Sequence, residues 1–200
     1  MRLVLASNNA KKLVELQVLF KPLGLDLVTQ GSLGIAEAEE PHVTFVENAL
    51  VKARHAALHA NTAAIADDSG LCVDALGGSP GVLSARYATL FGRAKSDDEN
   101  NRVLLENLVS HADRHARFVS ALVAVRWADD PEPLIAFGRW EGEVLREPRG
   151  QGGFGYDPLL FIPSLGRSVA ELSAGEKNLY SHRAIASRQM LALMREVWKR

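Results

Sequence analysis

The sequence predicts an α/β protein whose mixed β-sheet is flanked by helices. Segments typical of strands and of helices alternate over much of the chain, which favours parallel pairing of strands. Two other strands, at 116–127 and 134–145, follow one another across a short DDPEP turn, which favours a long antiparallel hairpin. Because 200 residues can bury one substantial core, we assign residues 1–200 to a single domain.

The chain opens with a strand, a turn and a helix. Residues 2–6 form a short apolar run, and residues 7–9 have the composition of a turn. Leu13, Leu16 and Phe20 then recur at helical spacing, so they should form the buried face of the first helix.

Two further helices are each marked by a capping pair. Thr44 and Glu47 have the spacing of a capping box, which predicts a helix over 43–60. Ser96 and Glu99 have the same spacing, and apolar residues at helical intervals follow them.

The segment between these two helices predicts a strand, a turn and a loop. Residues 62–66 have strand composition, and we expect the DDSG sequence at 67–70 to end the strand, since Asp, Ser and Gly are frequent in turns. The Gly- and Pro-containing segment at 76–88 exceeds a minimal connection and predicts a long loop.

The last part of the chain returns to one short strand and one helix. Residues 146–158 are irregular, and 159–162 form a short apolar run. A closing helix is predicted from about Ser181, because residues at helical spacing form an apolar stripe after it.

Composition excludes several classes of protein. The net charge of -1 gives no basic surface for a nucleic-acid polymer. Cys72 is the only cysteine, so we expect neither an intramolecular disulfide nor a thiolate zinc cluster. The apolar run at the start of the chain is too short for a signal peptide or a membrane span, which predicts a cytoplasmic protein that does not bind membranes.

The two adjacent acids Asp67 and Asp68 have two interpretations. They are turn residues, or they are carboxylates at a strand end that suit Mg²⁺, which prefers oxygen ligands. Successive residues of an extended chain point to opposite sides, so only one acid should be the principal ligand or base. Glu39 and Glu40 are either favourable acids near a helix N-terminus or partners of that aspartate at a metal.

The SNNAKK sequence at 7–12 is a candidate phosphate-binding turn. A turn from a strand into a helix exposes backbone N–H groups and the positive end of the helix dipole, and Lys12 adds charge there. The alternative is that Asn9 merely caps the helix. The segment lacks the P-loop pattern, which excludes a Walker-type ATPase.

Two segments near the C-terminus carry aromatic and basic side chains. Phe154 and Tyr156, within QGGFGYDP, either stack on a base or pack locally. Lys177, His182 and Arg183, within EKNLYSHR, are expected on a loop, where they either read carbonyl oxygens of a base or are solvated cations.

Six segments together resemble the inosine/xanthosine triphosphate pyrophosphatase family. In chain order they are SNNAKKLVEL, EEPHVTFVENALVKARHAA, AIADDSGLCVDALGGSPGVLSARYA, GRWEGEV, GGFGYDPLLF and EKNLYSHRA. The resemblance extends from about residue 2 to residue 195. It implies Mg²⁺-dependent hydrolysis of dITP, ITP and XTP between the α and β phosphates, which removes deaminated purine nucleotides from the pool. It also implies two lobes with a central substrate cleft, and a homodimer.

The resemblance implies a role for particular residues. Asp68 would activate water and contact the metal, joined there by Glu39 or Glu40, while Ser69 would touch the substrate. The other implied substrate contacts are Ser7, Asn8, Asn9, Ala10, Lys11, Lys12 and Lys52 for the triphosphate, and Phe154, Gly155, Tyr156, Asp157, Lys177, His182 and Arg183 for the base.

Base preference follows from hydrogen-bonding chemistry. Lys and Arg only donate, so they favour the 6-carbonyl of hypoxanthine or xanthine over the 6-amino group of adenine. The alternatives are a related pyrophosphatase of different base preference, or a nucleotide-binding regulator without catalysis.

Overall fold

The structure, a computed structural model, describes residues 2–21 and 24–199. Its strands are β1 Arg2–Leu5, β2 Asp26–Thr29, β3 Ala64–Val73, β4 His115–Val125, β5 Leu134–Val144, β6 Leu160–Ile162 and β7 Arg167–Ser168. Its α-helices are α1 Ala10–Phe20, α2 Phe45–Ala60, α3 Asp97–Asn107, α4 Ala174–Tyr180 and α5 His182–Val197. None of these helices, within the described ranges, is long and apolar enough to cross a bilayer.

The sheet is mixed, as predicted. The strands are hydrogen-bonded in the order β2-β1-β3-β4-β5-β6-β7. Strand β1 pairs in parallel with both β2 and β3, whereas β6 pairs antiparallel with β5 and β7. Strands β4 and β5, predicted as the two arms of a hairpin, are neighbours in this order.

The chain divides into two compact units. Unit 1 contains the described residues of Met1–Asp68, Ser120–Gly138 and Arg183–Arg200, and unit 2 contains Ser69–Val119 and Arg139–His182. The single domain over 1–200 and the substrate cleft stay predictions.

Unit 1 has an apolar layer on each face of its strands. Side chains alternate along β1, so Leu3 and Leu5 pack with residues of α1 and α5, such as Leu16 and Met190. Val4 and Ala6 point the other way and pack with α2 alanines, including Ala53. This alternation places β1 in the interior of unit 1, with helices on both sides.

Unit 2 has a single core cluster. Leu71 and Val73 of β3 pack there with Leu104 of α3 and with the aromatic side chains of Phe118 and Trp140. The predicted helix caps are formed in both units: Thr44 accepts a hydrogen bond from the Glu47 N–H, and Ser96 accepts one from the Glu99 N–H.

The prediction that DDSG ends a strand is wrong. Strand β3 continues through these residues to Val73. Gly70 does not form a turn; it allows the backbone of β3 to lie close to Gly81 and Ser84. A Cβ at Gly70 would lie 2.4 Å from both Gly81 O and Ser84 Oγ. The acids find partners far away in sequence, which removes the need for the local hydrogen bonds of a turn.

Two other predictions of loops are also wrong. The segment predicted as a long loop at 76–88 is largely helical, because two short 3₁₀ segments, separated by a kink at Arg86, cover Gly81–Phe91. The segment that carries Lys177, predicted as a loop, is helix α4, where Ser173 and Glu176 form a capping box. The short parallel strand β2 was not predicted.

Asp130, in the connection between β4 and β5, is fully buried. Its carboxylate accepts hydrogen bonds from Arg126 Nε at 2.8 Å, from Arg126 NH2 at 2.7 Å and from the Glu132 N–H at 3.0 Å. The Arg126 side chain is the main reason why the pKa of Asp130 is lowered from 3.8 to about 2.

We expect Asp130→Asn to lower the free energy of unfolding at pH 7 by about 2 kcal/mol. Because the pKa is lower in the folded state, this stability is complete above the ordinary carboxyl pKa and is lost as the pH falls towards 2. The difference between wild type and variant should fall by about half at pH 3. Urea unfolding at pH 7, 5 and 3 measures it, with exposed Asp129→Asn as control. A difference that does not change with pH would contradict the assignment.

Candidate active site

Asp67 and Asp68 are neighbours on β3, and their carboxylates have different partners in unit 1. Asp67 is completely buried, and its Oδ1 accepts a hydrogen bond from Ser120 Oγ at 2.7 Å. Its Oδ2 lies 3.0 Å from Lys12 Nζ and 3.1 Å from Arg183 Nε. Asp67 is therefore held on all sides by side chains from β4, α1 and α5.

Arg183 links Asp67 to α1. Its guanidinium also forms an ion pair with Glu15, one helical turn after Lys12, and only 1% of Arg183 is exposed. Burial by itself would raise the pKa of Asp67, but the charges of Arg183 and Lys12 outweigh it and hold this pKa well below its usual range. Asp67 is thus a permanent anion within a buried ionic network.

Asp68 belongs to a second, adjacent group. Lys52 Nζ lies 2.8 Å from Asp68 Oδ1 and 2.8 Å from Glu40 Oε1. Within the described chain, Asp68 Oδ2 is buried without a hydrogen-bond partner. Burial raises the pKa of Asp68, although Lys52 acts in the opposite direction. Burial disfavours the charged form of Lys52, yet the two carboxylates raise its pKa, so it remains protonated.

The two lysines converge on one backbone oxygen. Lys52 Nζ lies 3.2 Å and Lys12 Nζ 3.4 Å from the carbonyl oxygen of Asp67. Burial lowers the pKa of Lys12, and the neighbouring Lys52 ammonium lowers it further, whereas the Asp67 carboxylate raises it. This pair of ammonium groups is suited to bind an anion.

The start of α1 has the geometry of a capped βα turn. Asn9 Oδ1 accepts hydrogen bonds from the backbone N–H groups of Lys11 and Lys12 at 3.0 and 3.2 Å. Ser7 Oγ accepts a hydrogen bond from the Asn9 N–H at 3.1 Å. Asn9 therefore caps the helix, as one of the two interpretations of this segment predicted.

Unit 2 contains residues 151–158, the aromatic segment that carries Phe154 and Tyr156. Asp157 Oδ2 accepts hydrogen bonds from the Phe154 N–H at 2.9 Å and from Lys177 Nζ at 2.7 Å. The same ammonium lies 4.5 Å from the centre of the Phe154 ring. Tyr156 is buried, and its hydroxyl donates to Ser84 O at 2.9 Å. Phe154 is half-buried, with Lys177 held beside it.

His182 is buried at the start of α5. Its ring is stacked on Phe118 of β4, with 4.9 Å between the ring centres. It thus packs against an aromatic side chain of the unit 2 core.

Comparison with known proteins identifies the family. A model of the Ham1 family matches residues 3–193. The chain belongs to the Ham1 family. It is 69% identical to a dITP/XTP pyrophosphatase of Methylibium petroleiphilum, over 99% of both chains, and 65% identical to one of Leptothrix cholodnii, again over 99% of both. The solved structure of a HAM1 protein from Coxiella burnetii superposes with a TM-score of 0.91 at 44% identity, covering 98% of this chain and 100% of that one.

The Ham1 family match confirms the resemblance stated from the sequence motifs. Among the residues predicted from that resemblance, Lys12, Lys52, Asp68 and Glu40 come together in unit 1. Phe154, Asp157 and Lys177 come together in unit 2. Their roles stay predictions.

Several other predicted residues of the Ham1-family site are solvent-accessible. Asn8, Ala10, Lys11 and Glu39 are exposed. Ser69 directly follows Asp68 on β3 and is half-buried. Between the two glutamates left open by the sequence, Glu40 is the one paired with Lys52.

Arg183 was predicted to contact a base. In the structure, the guanidinium of this Ham1-family residue forms ion pairs with Glu15 and Asp67. Glu15 and Ser120 were missed as members of the network. Glu15 lies three residues after Lys12, a spacing that places both side chains on one side of a helix, and this was the available signal. Ser120 had no signal, since nothing local marks one serine of a buried strand.

Proposed function

We propose that this Ham1-family protein hydrolyses the non-standard purine nucleoside triphosphates dITP, ITP and XTP to the monophosphate and pyrophosphate. The observation that carries the proposal is the buried Asp68, whose Oδ2 has no hydrogen-bond partner in the described chain, beside two converging ammonium groups. A carboxylate with a free oxygen and two cations suit attack of water on a phosphate. The name dITP/XTP pyrophosphatase of the relatives supports this reaction and this class of base.

The ammonium groups of Lys12 and Lys52 would bind the phosphate oxygens. They are held by Asp67 and by Asp68 with Glu40, so little reorganisation is needed when the anion arrives. The N-terminus of α1 adds the positive end of its dipole close to Lys12.

Asp68 would be the general base. It accepts a proton from water as the water oxygen bonds to phosphorus, and the bridging oxygen between the α and β phosphates leaves with pyrophosphate. The burial that raises its pKa makes it a better base near neutral pH. Lys52, paired with Asp68 Oδ1, orients the carboxylate so that Oδ2 is available.

The donor set fits a divalent cation that arrives with the substrate. The network contains three cations, Lys12, Lys52 and Arg183, but four acids, Glu15, Glu40, Asp67 and Asp68. This excess of negative charge disfavours binding of the anionic triphosphate unless a cation binds with it.

We propose Mg²⁺ as that cation. Across residues 2–21 and 24–199, no cluster of three His, Cys, Asp or Glu side chains is arranged to hold a metal by itself. Mg²⁺ commonly binds through one or two carboxylates plus substrate phosphates, and Asp68 and Glu40 would supply the carboxylates. When bound, Mg²⁺ would neutralise charge on the phosphate oxygens.

The aromatic segment of unit 2 would bind the base. The Phe154 ring offers a face for stacking, worth about 1–3 kcal/mol per base. The Lys177 ammonium beside it donates only, so it favours a 6-carbonyl over the 6-amino group of adenine. Asp157 fixes both the Lys177 ammonium and the Phe154 backbone.

A panel of triphosphates with and without Mg²⁺ tests the proposal. Pyrophosphate release should be fastest with ITP, dITP and XTP and at least about 100-fold slower with ATP, because a site that donates hydrogen bonds leaves its donors unpaired against an amino group. Omission of Mg²⁺ should abolish turnover. Faster hydrolysis of pyrimidine triphosphates would indicate a different base preference, and binding of ITP without turnover would indicate a regulator.

We also propose that the enzyme is a cytoplasmic homodimer, as the family resemblance implies. Sedimentation equilibrium should give twice the chain mass of 21.8 kDa. A mass equal to one chain would refute the dimer.

A further inference from the structure

Two side chains of helix α3 form hydrogen bonds with the backbone of Gly155, which lies in the aromatic segment of unit 2. Asp97 Oδ2 accepts a hydrogen bond from the Gly155 N–H at 2.8 Å. Asn101 Nδ2 donates to the Gly155 carbonyl at 3.0 Å. Asp97 and Asn101 are four residues apart on α3, so their side chains lie on the same side of the helix. Both polar backbone groups of Gly155 are thereby engaged by one helix.

Gly155 has a backbone conformation that favours glycine. Gly155 has φ +61, a conformation that side chains rarely adopt, and it separates Phe154 from Tyr156. Tyr156 is anchored by burial and by its bond to Ser84 O, whereas Phe154 is half-buried. The orientation of the Phe154 ring therefore depends on the peptide groups that flank Gly155.

The chemistry at Asn101 favours a role in positioning rather than in stability. Its amide NH₂ group must face the Gly155 carbonyl, since only the nitrogen can donate. Asn101 Oδ1 is then buried without a hydrogen-bond partner in the part of the chain that the structure describes. A buried acceptor of this kind destabilises the fold, which offsets what the bond to Gly155 contributes.

We infer that Asp97 and Asn101 are positioning residues for base recognition, which hold Phe154 in the orientation that accepts a 6-oxopurine. The inference rests on the proposed function for the nature of the ligand. Because these hydrogen bonds order the segment in advance, the substrate does not have to order it on binding. Loss of the hydrogen bonds should therefore weaken substrate binding more than it slows the chemical step. The effect should be on KM rather than on kcat.

The two positions differ in what they require, which gives a sharp test. Position 97 needs an acceptor, so Asp97→Asn should keep the bond to the Gly155 N–H, whereas Asp97→Ala should lose it. Position 101 needs a donor, so both Asn101→Ala and Asn101→Asp should lose the bond to the carbonyl. Asp98→Ala is the matched control, because Asp98 is an exposed acid in the same first turn of α3.

Steady-state kinetics with ITP and Mg²⁺ give the first readout. We expect KM to rise about tenfold in Asp97→Ala, Asn101→Ala and Asn101→Asp, the factor that corresponds to one net hydrogen bond. The value of kcat should change less than about twofold, and Asp97→Asn and Asp98→Ala should resemble wild type. Equal losses in Asp97→Asn and Asp97→Ala, or an unchanged KM in all variants, would overturn the inference.

Backbone hydrogen exchange over residues 153–157 gives a second readout that does not need turnover. Exchange should be faster in the three disruptive variants and unchanged in Asp98→Ala. Unchanged exchange in all variants overturns the inference even if the enzyme is active. Absence of ITP hydrolysis by wild type refutes the proposed function instead, so the two failures are distinguishable.

Discussion

Asp68→Asn is expected to reduce kcat for ITP by at least about 100-fold and to leave the protein folded. Asparagine has the same shape as aspartate, and its amide oxygen can still accept from Lys52, but it cannot take a proton from water. Glu40 remains to pair with Lys52, so this ammonium keeps one carboxylate.

The measurement is pyrophosphate release under saturating ITP and Mg²⁺, with circular dichroism and thermal unfolding as checks of the fold. Asp129→Asn is the control, since it makes the same chemical change at an exposed site. Activity equal to wild type in Asp68→Asn would remove Asp68 as the base.

Arg183→Met is expected to lower the free energy of unfolding by about 3–5 kcal/mol. Methionine occupies a similar volume, but it leaves the partly buried carboxylate of Glu15 and the buried carboxylate of Asp67 without the guanidinium that pairs with both. Asp67 retains Lys12 and Ser120, so Glu15 should bear much of the cost.

Urea unfolding at neutral pH measures this loss. Arg102→Met is the control, because 60% of the Arg102 side chain is exposed and its ion pair with Glu99 should contribute less than about 1 kcal/mol. Adding Glu15→Gln to Arg183→Met should restore part of the stability, since it removes one of the two negative charges that lost the guanidinium. A loss in Arg183→Met as small as that in Arg102→Met would contradict the account.

Sequence analysis succeeded where the deciding interactions are local. The caps at Thr44 and Ser96 were predicted because a helix N-terminus is satisfied by side chains within three residues. The same rule applied to Ser173 and Glu176 would have found α4, which was missed because its basic residues suggested a loop. Strand β2 has only four residues and lies at the edge of the sheet beside β1, so little in its own sequence distinguishes it.

The errors arise where partners are distant in sequence. The DDSG sequence was assigned to a turn from composition, but Asp67 is satisfied by Ser120 and Arg183, 53 and 116 residues away. Motifs predicted Asp68 and the lysines as site residues without showing which acid pairs with which cation. The contacts of Asp97 and Asn101 with Gly155 span 58 and 54 residues, and only a three-dimensional structure brings them together.

The close approach at Gly70 limits how this enzyme can be engineered. Any side chain at position 70 must displace Ser84, whose Oγ accepts the Leu71 N–H at 2.9 Å and whose carbonyl receives the Tyr156 hydroxyl. A randomised library around Asp68 that includes position 70 would therefore be dominated by misfolded clones. Selections for a new nucleotide preference should therefore keep this glycine fixed.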